Sequence, residues 1–142
     1  MKRPYISPSL RQQIADSDKN RCSYCQTQVA VVGNTLELDH IIPIHAGGAS
    51  QAQNLCLACS SCNQAKSSKI SAIDPVSEKT EKIFNPRQQK WQDHFRWIAG
   101  ETKIEGITAI GRATVMALNM NWSLIVKTRA RWVQVGWHPP HD

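Results

Sequence analysis

Several features are missing from this 142-residue chain. No run of about 18 apolar residues occurs, which is the length a membrane-spanning helix needs. The basic start, Met1 to Tyr5, is not followed by an apolar stretch, so we expect no secretory signal, no membrane partner and a cytoplasmic location. Acidic residues number only 11 against 17 lysines and arginines. The resulting formal charge of +6 favours a polyanionic partner such as nucleic acid.

Cysteine is scarce, and its odd count of 5 cannot be consumed entirely by disulfides. Four of the cysteines form two Cys-x-x-Cys pairs, Cys22/Cys25 and Cys59/Cys62, whereas Cys56 lies in an apolar run and is expected to be a small buried residue. Without a secretory signal, such pairs are typical of a four-thiolate zinc site. A redox Cys-x-x-Cys is the alternative, but two pairs of equal spacing favour zinc.

The 33 residues between Cys25 and Cys59 exceed the usual separation of about 15–20 in a zinc ribbon. This long insertion and the residue after Cys62 carry side-chain types that suit phosphodiester hydrolysis, which needs a base and a divalent cation. Asp39 and Asn63 offer the carboxylate and amide oxygens that hard cations prefer, and His40 titrates near neutrality. Neighbouring side chains on a strand point to opposite faces, so Asp39 and His40 can share a site only at a bulge or a strand end.

Residues 21–67 resemble the HNH endonuclease family, in its four-cysteine, zinc-containing branch with a ββα-metal fold. The matching motifs are Cys22-x-x-Cys25, Leu38-Asp39-His40-Ile41-Ile42-Pro43, Gly47-Gly48, Asn54-Leu55 and Cys59-x-x-Cys62-Asn63-x-x-Lys66. The resemblance implies that Asp39 and Asn63 bind a catalytic Mg²⁺ or Mn²⁺ and that His40 is the general base. It also implies that Asn54 orients His40 by bonding the imidazole or its loop. Asn63 stands where some members of the family have histidine.

Local patterns predict an α+β fold. The expected divisions are a nuclease core over 1–68, a connector over 69–90, and a C-terminal hairpin with two helices over 91–142 that packs on the core or aids DNA binding. Within them we predict a helix from Pro8 to Asp16, a strand at 36–42, a short extended or irregular piece at 54–58, a helix at 61–68 capped by Ser60, strands at 91–97 and 103–108, and helices at 109–118 and 122–135.

Four further residues are candidates for nucleic-acid contact: Lys66, His45, Arg87 and Arg112. Lys66, one helical turn after Asn63, either reaches a phosphate or is a solvated helix lysine. His45 follows Pro43 and contacts either DNA or metal. Arg87 lies in a basic and aromatic stretch, and Arg112 lies at the start of a predicted helix, where amides and a guanidinium suit a phosphate.

The resulting hypothesis is a DNA endonuclease with a structural Zn²⁺ and a catalytic divalent cation. One site cuts one strand, so double-strand cleavage requires a homodimer or two successive events. The main alternative is a non-catalytic, zinc-containing module that binds nucleic acid. A structural zinc protein with a protein partner is the third possibility, and it predicts no salt-sensitive affinity for DNA.

Overall fold

The computed structural model of the protein describes residues 5–141, so Lys2 and Arg3 of the basic start lie outside the described part. Its helices are α1 (Pro8–Ser17), α2 (Val29–Val32), α3 (Ser60–Lys66), α4 (Trp91–His94), α5 (Ala109–Ala117) and α6 (Ser123–Gln134). Its strands are β1 (Glu37–His40), β2 (Leu55–Ala58), β3 (Ser71–Ile73), β4 (Thr80–Lys82), β5 (Phe95–Ile98) and β6 (Lys103–Gly106). Among residues 5–141, no helix has the length and apolar character to cross a membrane.

A ββα unit forms the middle of the chain and confirms the predicted α+β class. Strands β1 and β2 pair antiparallel in a continuous register that places His40 opposite Leu55. Helix α3 follows β2 directly, but its N-cap is Cys59 rather than the predicted Ser60. The Cys59 sulfur accepts a hydrogen bond from the Cys62 backbone N–H at 3.4 Å, so one zinc-ligand candidate also fixes the start of the helix.

Helix α1 begins as its sequence predicts. The Ser7 hydroxyl accepts from the Leu10 N–H at 3.1 Å, and Pro8 occupies the first helical position, where no amide hydrogen is required. The helix buries Ile14 against Leu55 and Leu57 of β2. This small apolar cluster closes one side of the ββα unit.

The predicted connector is not irregular throughout, because β3 and β4 form a short antiparallel hairpin within it. The turn is held by Asp74, whose carboxylate accepts from the N–H groups of Val76 and Ser77. Ile83 and Phe84 then enter the main core. The segment therefore packs as part of the molecule.

The C-terminal part contains the predicted hairpin, β5–β6, and the two predicted helices, α5 and α6. Residues 91–94 form a helical turn instead of the start of a strand. Trp91 explains this difference, since its indole N–H donates to the Tyr24 carbonyl at 2.7 Å and its ring packs on Phe95. A tertiary contact thus overrides the local preference for strand.

One apolar core runs across the predicted divisions at residues 68 and 91. It joins the zinc-ligand candidates to residues of the second half, including Phe84, Phe95, Ile104 and Leu118. Burial of this kind contributes about 25 cal/mol for each Å² of apolar surface removed from water. The ββα unit and the C-terminal segment therefore stabilise each other.

Candidate functional site

The two Cys-x-x-Cys pairs meet at one point. The Sγ atoms of Cys22, Cys25, Cys59 and Cys62 all lie within 4.8 Å of one another, and those of Cys25 and Cys59 are 3.6 Å apart. Four sulfurs at about 2.3 Å from a central zinc lie about 3.8 Å apart in a tetrahedron. All four cysteines are free thiols, and the spacing therefore fits a zinc ion.

The chemistry of this cluster also fits a cation. Burial raises the pKa of Cys22, and hydrogen bonds with Cys22 and Cys25 raise the pKa of Cys62. Four thiolates at this distance repel one another unless positive charge lies between them. A divalent ion supplies that charge and displaces the protons.

Arg129 of helix α6 lies beside the cluster and is only 1% exposed. It lines one cavity of about 300 Å³ together with Cys25, Cys59 and Cys62. Burial lowers the pKa of Arg129, while the charges of the nearby cysteines raise it. The structure thus places this arginine in the interior, next to the cysteine cluster.

A second cleft, of about 490 Å³, is lined by the predicted catalytic residues Asp39, His40 and Asn63. His45 from the loop after Pro43 lines it as well. β1 ends at His40, so the imidazole and the Asp39 carboxylate reach one cleft without a bulge. The sequence left open whether a bulge or a strand end brings Asp39 and His40 together, and in the structure it is a strand end.

Asp39 is 5% exposed and is held from two sides. Its Oδ2 accepts from the Tyr24 hydroxyl at 2.7 Å and pairs with the Lys66 ammonium at 3.1 Å. Burial raises the pKa of Tyr24, and the neighbouring Cys56 and Asp39 raise it further, so the phenol stays neutral and donates. Cys56 is buried beside them, as its apolar surroundings predict.

Lys66 does not reach outward. It is 1% exposed, and its ammonium donates to Asp39 and to the backbone carbonyls of His40 and Ile41 at 3.1–3.3 Å. A lysine has three N–H donors, and these partners account for all of them. Neither predicted position of Lys66, in contact with a phosphate or in solvent, is seen in the structure. Either one would require Lys66 to leave this buried site.

His40 is positioned by a residue that sequence reasoning missed. Its Nε2 lies 2.8 Å from the Ser50 hydroxyl in the loop between β1 and β2. A hydrogen bond at one ring nitrogen selects the tautomer and fixes the ring plane. A polar residue ten positions downstream in a flexible stretch carries no local signal for this role.

Asn54 holds the same loop. Its amide nitrogen donates to the carbonyls of Ile42 and Ala49, and its oxygen accepts from the Ile42 N–H at 2.9 Å. The family resemblance implies that Asn54 bonds either the His40 imidazole or its loop, and these hydrogen bonds are to the loop. Gly48 permits the tight path, since a Cβ there would collide with the Ile42 carbonyl, and Gly47 adopts φ +94°.

Asn63 contacts a second residue that the sequence analysis did not select. Its Nδ2 donates to Glu37 Oε1 at 2.7 Å. Glu37 lies two residues before Asp39 and therefore on the same face of β1, and it lines the same cleft. On a strand, every second side chain lies on the same face, and this alternation is the sequence signal that could have identified Glu37 from Asp39.

The other predicted nucleic-acid contacts have internal ion-pair partners. Arg87 forms a two-pronged ion pair with Asp18 at 2.7–2.8 Å and donates to the Leu55 carbonyl. Arg112 pairs in the same way with Asp74, and that guanidinium holds the pKa of the Asp74 carboxyl well below its usual range. Both arginines thus stabilise the fold. Contact with DNA would have to use guanidinium N–H groups that these ion pairs do not engage.

Arg11 is a basic residue next to the cleft that the sequence analysis did not select. It is exposed on α1 and lines a groove of about 650 Å³ that shares Glu37, His40 and Asn63 with the cleft. Tyr5 lines this groove too and is 82% exposed. An arginine and an exposed aromatic ring next to the cleft form a surface suited to a phosphate and a base.

The family comparison covers this site. Residues 22–69, about a third of the chain, match the family model described as HNH endonuclease. A comparison with curated proteins gives no match. The matched segment spans both cysteine pairs, β1, β2 and α3, and hence the zinc cluster and the cleft together.

Proposed function

We propose that this chain, which carries an HNH endonuclease domain with a four-cysteine cluster over residues 22–69, is a metal-dependent DNA endonuclease. The observation that carries the proposal is the meeting of Asp39, His40 and Asn63 in one cleft. A purely structural zinc module has no need of a carboxylate, an imidazole and an amide around the same open space. The family supports a nucleic-acid substrate, and DNA is the substrate proposed here.

Asp39 and Asn63 are the residues that would hold Mg²⁺ or Mn²⁺, and such an ion supplies positive charge to the phosphate oxygens. The donor set fits this role. Asp39 Oδ1 accepts one hydrogen bond, from Lys66, and a carboxylate oxygen has two lone pairs. Asn63 gives its amide nitrogen to Glu37, which leaves the amide oxygen as the ligand atom.

His40 is the general base. In the tautomer with Nε2 as donor to Ser50, Nδ1 is the basic nitrogen that takes a proton from water. The resulting hydroxide attacks phosphorus, the bond to the 3′ oxygen breaks, and the products carry 5′-phosphate and 3′-hydroxyl ends. Asn54 keeps the loop that carries Ser50 close to the end of β1, and so supports the orientation of the imidazole.

The groove lined by Arg11 and Tyr5 leads the DNA strand into the cleft. An exposed guanidinium neutralises a backbone phosphate, and the phenol ring stacks on a base. His45, which is exposed and lines the cleft, is a second contact with the strand. Cutting proceeds one strand at a time, and double-strand breaks require two events or a homodimer.

Nicking of supercoiled plasmid tests the proposal. We expect the zinc-loaded protein to nick DNA with Mg²⁺ or Mn²⁺ and to be inactive in EDTA. His40→Ala should lower the rate by about 10²–10⁴-fold, the range for loss of a general base, without loss of zinc. His141→Ala, at an exposed histidine outside the cleft, is the matched control and should cut at the wild-type rate.

Three outcomes would contradict parts of this proposal. Equal activity of His40→Ala and wild type would remove His40 from its role. DNA binding that persists while no divalent cation supports nicking would favour the non-catalytic module instead. Cut ends with 3′-phosphate would contradict the proposed direction of bond cleavage.

A further inference from the structure

We propose that Arg129 stabilises the four-cysteine zinc site without binding the metal, by placing its positive charge and a hydrogen-bond donor next to the ligand sulfurs. Helix α6 thereby completes a zinc centre whose four ligands all come from the ββα half. This inference concerns metal retention and does not depend on the chain's being a nuclease. It assigns a role to a buried charge that the catalytic proposal does not use.

The first argument is the lack of any other counter-charge. Arg129 is 1% exposed, and among the described residues no carboxylate forms an ion pair with it. The guanidinium donates to the backbone carbonyls of Thr102 and Met120 and to the side-chain amide oxygen of Asn121. A buried guanidinium without an anionic partner is strongly destabilising. The anions close to it are the thiolates of the cluster.

The second argument is an unused donor. Among the described residues, the buried Arg129 Nε has no hydrogen-bond partner, while both terminal nitrogens are engaged. The guanidinium shares its cavity wall with Cys25, Cys59 and Cys62. Buried donors are nearly always satisfied, and an orphan next to sulfur ligands fits an N–H···S bond in the metal-loaded state.

The third argument is charge. Four thiolates and one zinc ion carry a net charge of −2, and the guanidinium compensates half of it. The guanidinium lies over the Trp97 ring, whose centre is 5.3 Å from the Arg129 Cζ. The ring excludes water, and electrostatic attraction between the guanidinium and the thiolates is therefore less screened than at a surface.

The position of Arg129 has a mechanical consequence. Its partners lie in the β5–β6 turn and in the segment between α5 and α6, so one side chain ties both to the cysteine cluster. Loss of zinc should therefore loosen the C-terminal segment as well as the ββα unit. We expect hydrogen exchange to rise in residues 118–134 when zinc is removed.

Zinc release from the full-length protein tests the proposal. Arg129→Met should release zinc to a colorimetric chelator at least about 10-fold faster than wild type, the lower end of the effect of losing a second-sphere partner. Arg131→Met, two residues along the same helix and exposed, is the control and should match wild type. In Co²⁺-loaded protein, Arg129→Met should also shift the sulfur-to-metal charge-transfer band, which a role in packing alone would not change.

The outcomes separate clearly. Wild-type release rates together with an unshifted charge-transfer band in Arg129→Met would overturn the proposal. If that variant does not fold in excess zinc, Arg129→Gln takes its place, since it removes the charge but keeps N–H donors for the carbonyls of Thr102 and Met120. Faster release from Arg129→Gln would support the role, and release at the wild-type rate would overturn it. Neither measurement involves DNA, so a failure of the nuclease proposal remains distinguishable.

Discussion

Replacement of Lys66 by methionine gives the sharpest test of the cleft architecture. Methionine has a similar length and removes the ammonium, leaving the Asp39 carboxylate buried with Tyr24 as its remaining strong donor. The two side chains are 1% and 5% exposed, so solvent screens this pair weakly. The carbonyls of His40 and Ile41 also lose their donor.

The expected magnitude follows from this burial. Removing one partner of a buried ion pair costs about 3–5 kcal/mol, because the other charge stays unpaired. For a chain of this length, about 3 °C of melting temperature corresponds to 1 kcal/mol. We therefore expect zinc-loaded Lys66→Met to melt about 10 °C or more below zinc-loaded wild type when no Mg²⁺ or Mn²⁺ is added. Lys69→Met, at an exposed lysine whose ammonium donates to the Ala65 carbonyl, should change the melting temperature by about 1–2 °C at most.

Differential scanning fluorimetry with Mn²⁺ extends the test. A divalent cation bound by Asp39 replaces the missing positive charge, so added metal should stabilise Lys66→Met more than wild type. Asp39→Asn in the same background removes the orphan charge and should restore part of the lost stability. Equal melting temperatures for Lys66→Met and Lys69→Met would refute the reasoning, and so would a double variant that loses the full sum of the two single losses.

Four further predictions concern single side chains. Ser50→Ala should lower the nicking rate by about 10-fold with unchanged zinc content, because the imidazole loses its orienting partner; a wild-type rate would contradict this. Glu37→Ala should raise the Mn²⁺ concentration for half-maximal nicking by about 10-fold, whereas Glu37→Gln, which keeps an acceptor for Asn63, should raise it less. Arg11→Ala should weaken DNA binding and reduce its salt dependence, and unchanged binding would remove Arg11 from the path of the strand. Burial raises the pKa of Cys56 to about 12, so in native protein at pH 8 iodoacetamide should leave it unmodified, as mass spectrometry can check.

Much of the zinc centre was predictable because its information is local. The Cys-x-x-Cys spacing lets one turn present two sulfurs to one ion, and two pairs of equal spacing favour a shared zinc ion over a redox motif. The start of α1 was predictable for the same reason, since Ser7 and Pro8 satisfy the helix end by themselves. Asp39, His40 and Asn63 were identified through the family resemblance, and the strand that ends at His40 brings them to one cleft.

The direction of long side chains was not predictable. Lys66 and Asn63 lie three residues apart on α3 and share a face, which suggested a phosphate contact, but the packing of α3 on β1 turns Lys66 toward Asp39. Arg87 pairs with Asp18 across 69 positions in the sequence, and no local pattern specifies such a partner. The same limit applies to Arg129, because its role depends on cysteines supplied by the other half of the chain.

The contacts of Arg87 and Asp18 have one more consequence, for how copies of this chain can associate. The edge of β2 that faces away from β1 is already engaged, since Asp18 accepts from the Leu57 N–H, Ser23 donates to the Leu57 carbonyl and Arg87 donates to the Leu55 carbonyl. A sheet edge sealed in this way offers no template for strand addition by another polypeptide. Intermolecular sheet formation at β2 is thereby blocked, and any pairing of two copies of this chain must use a different face.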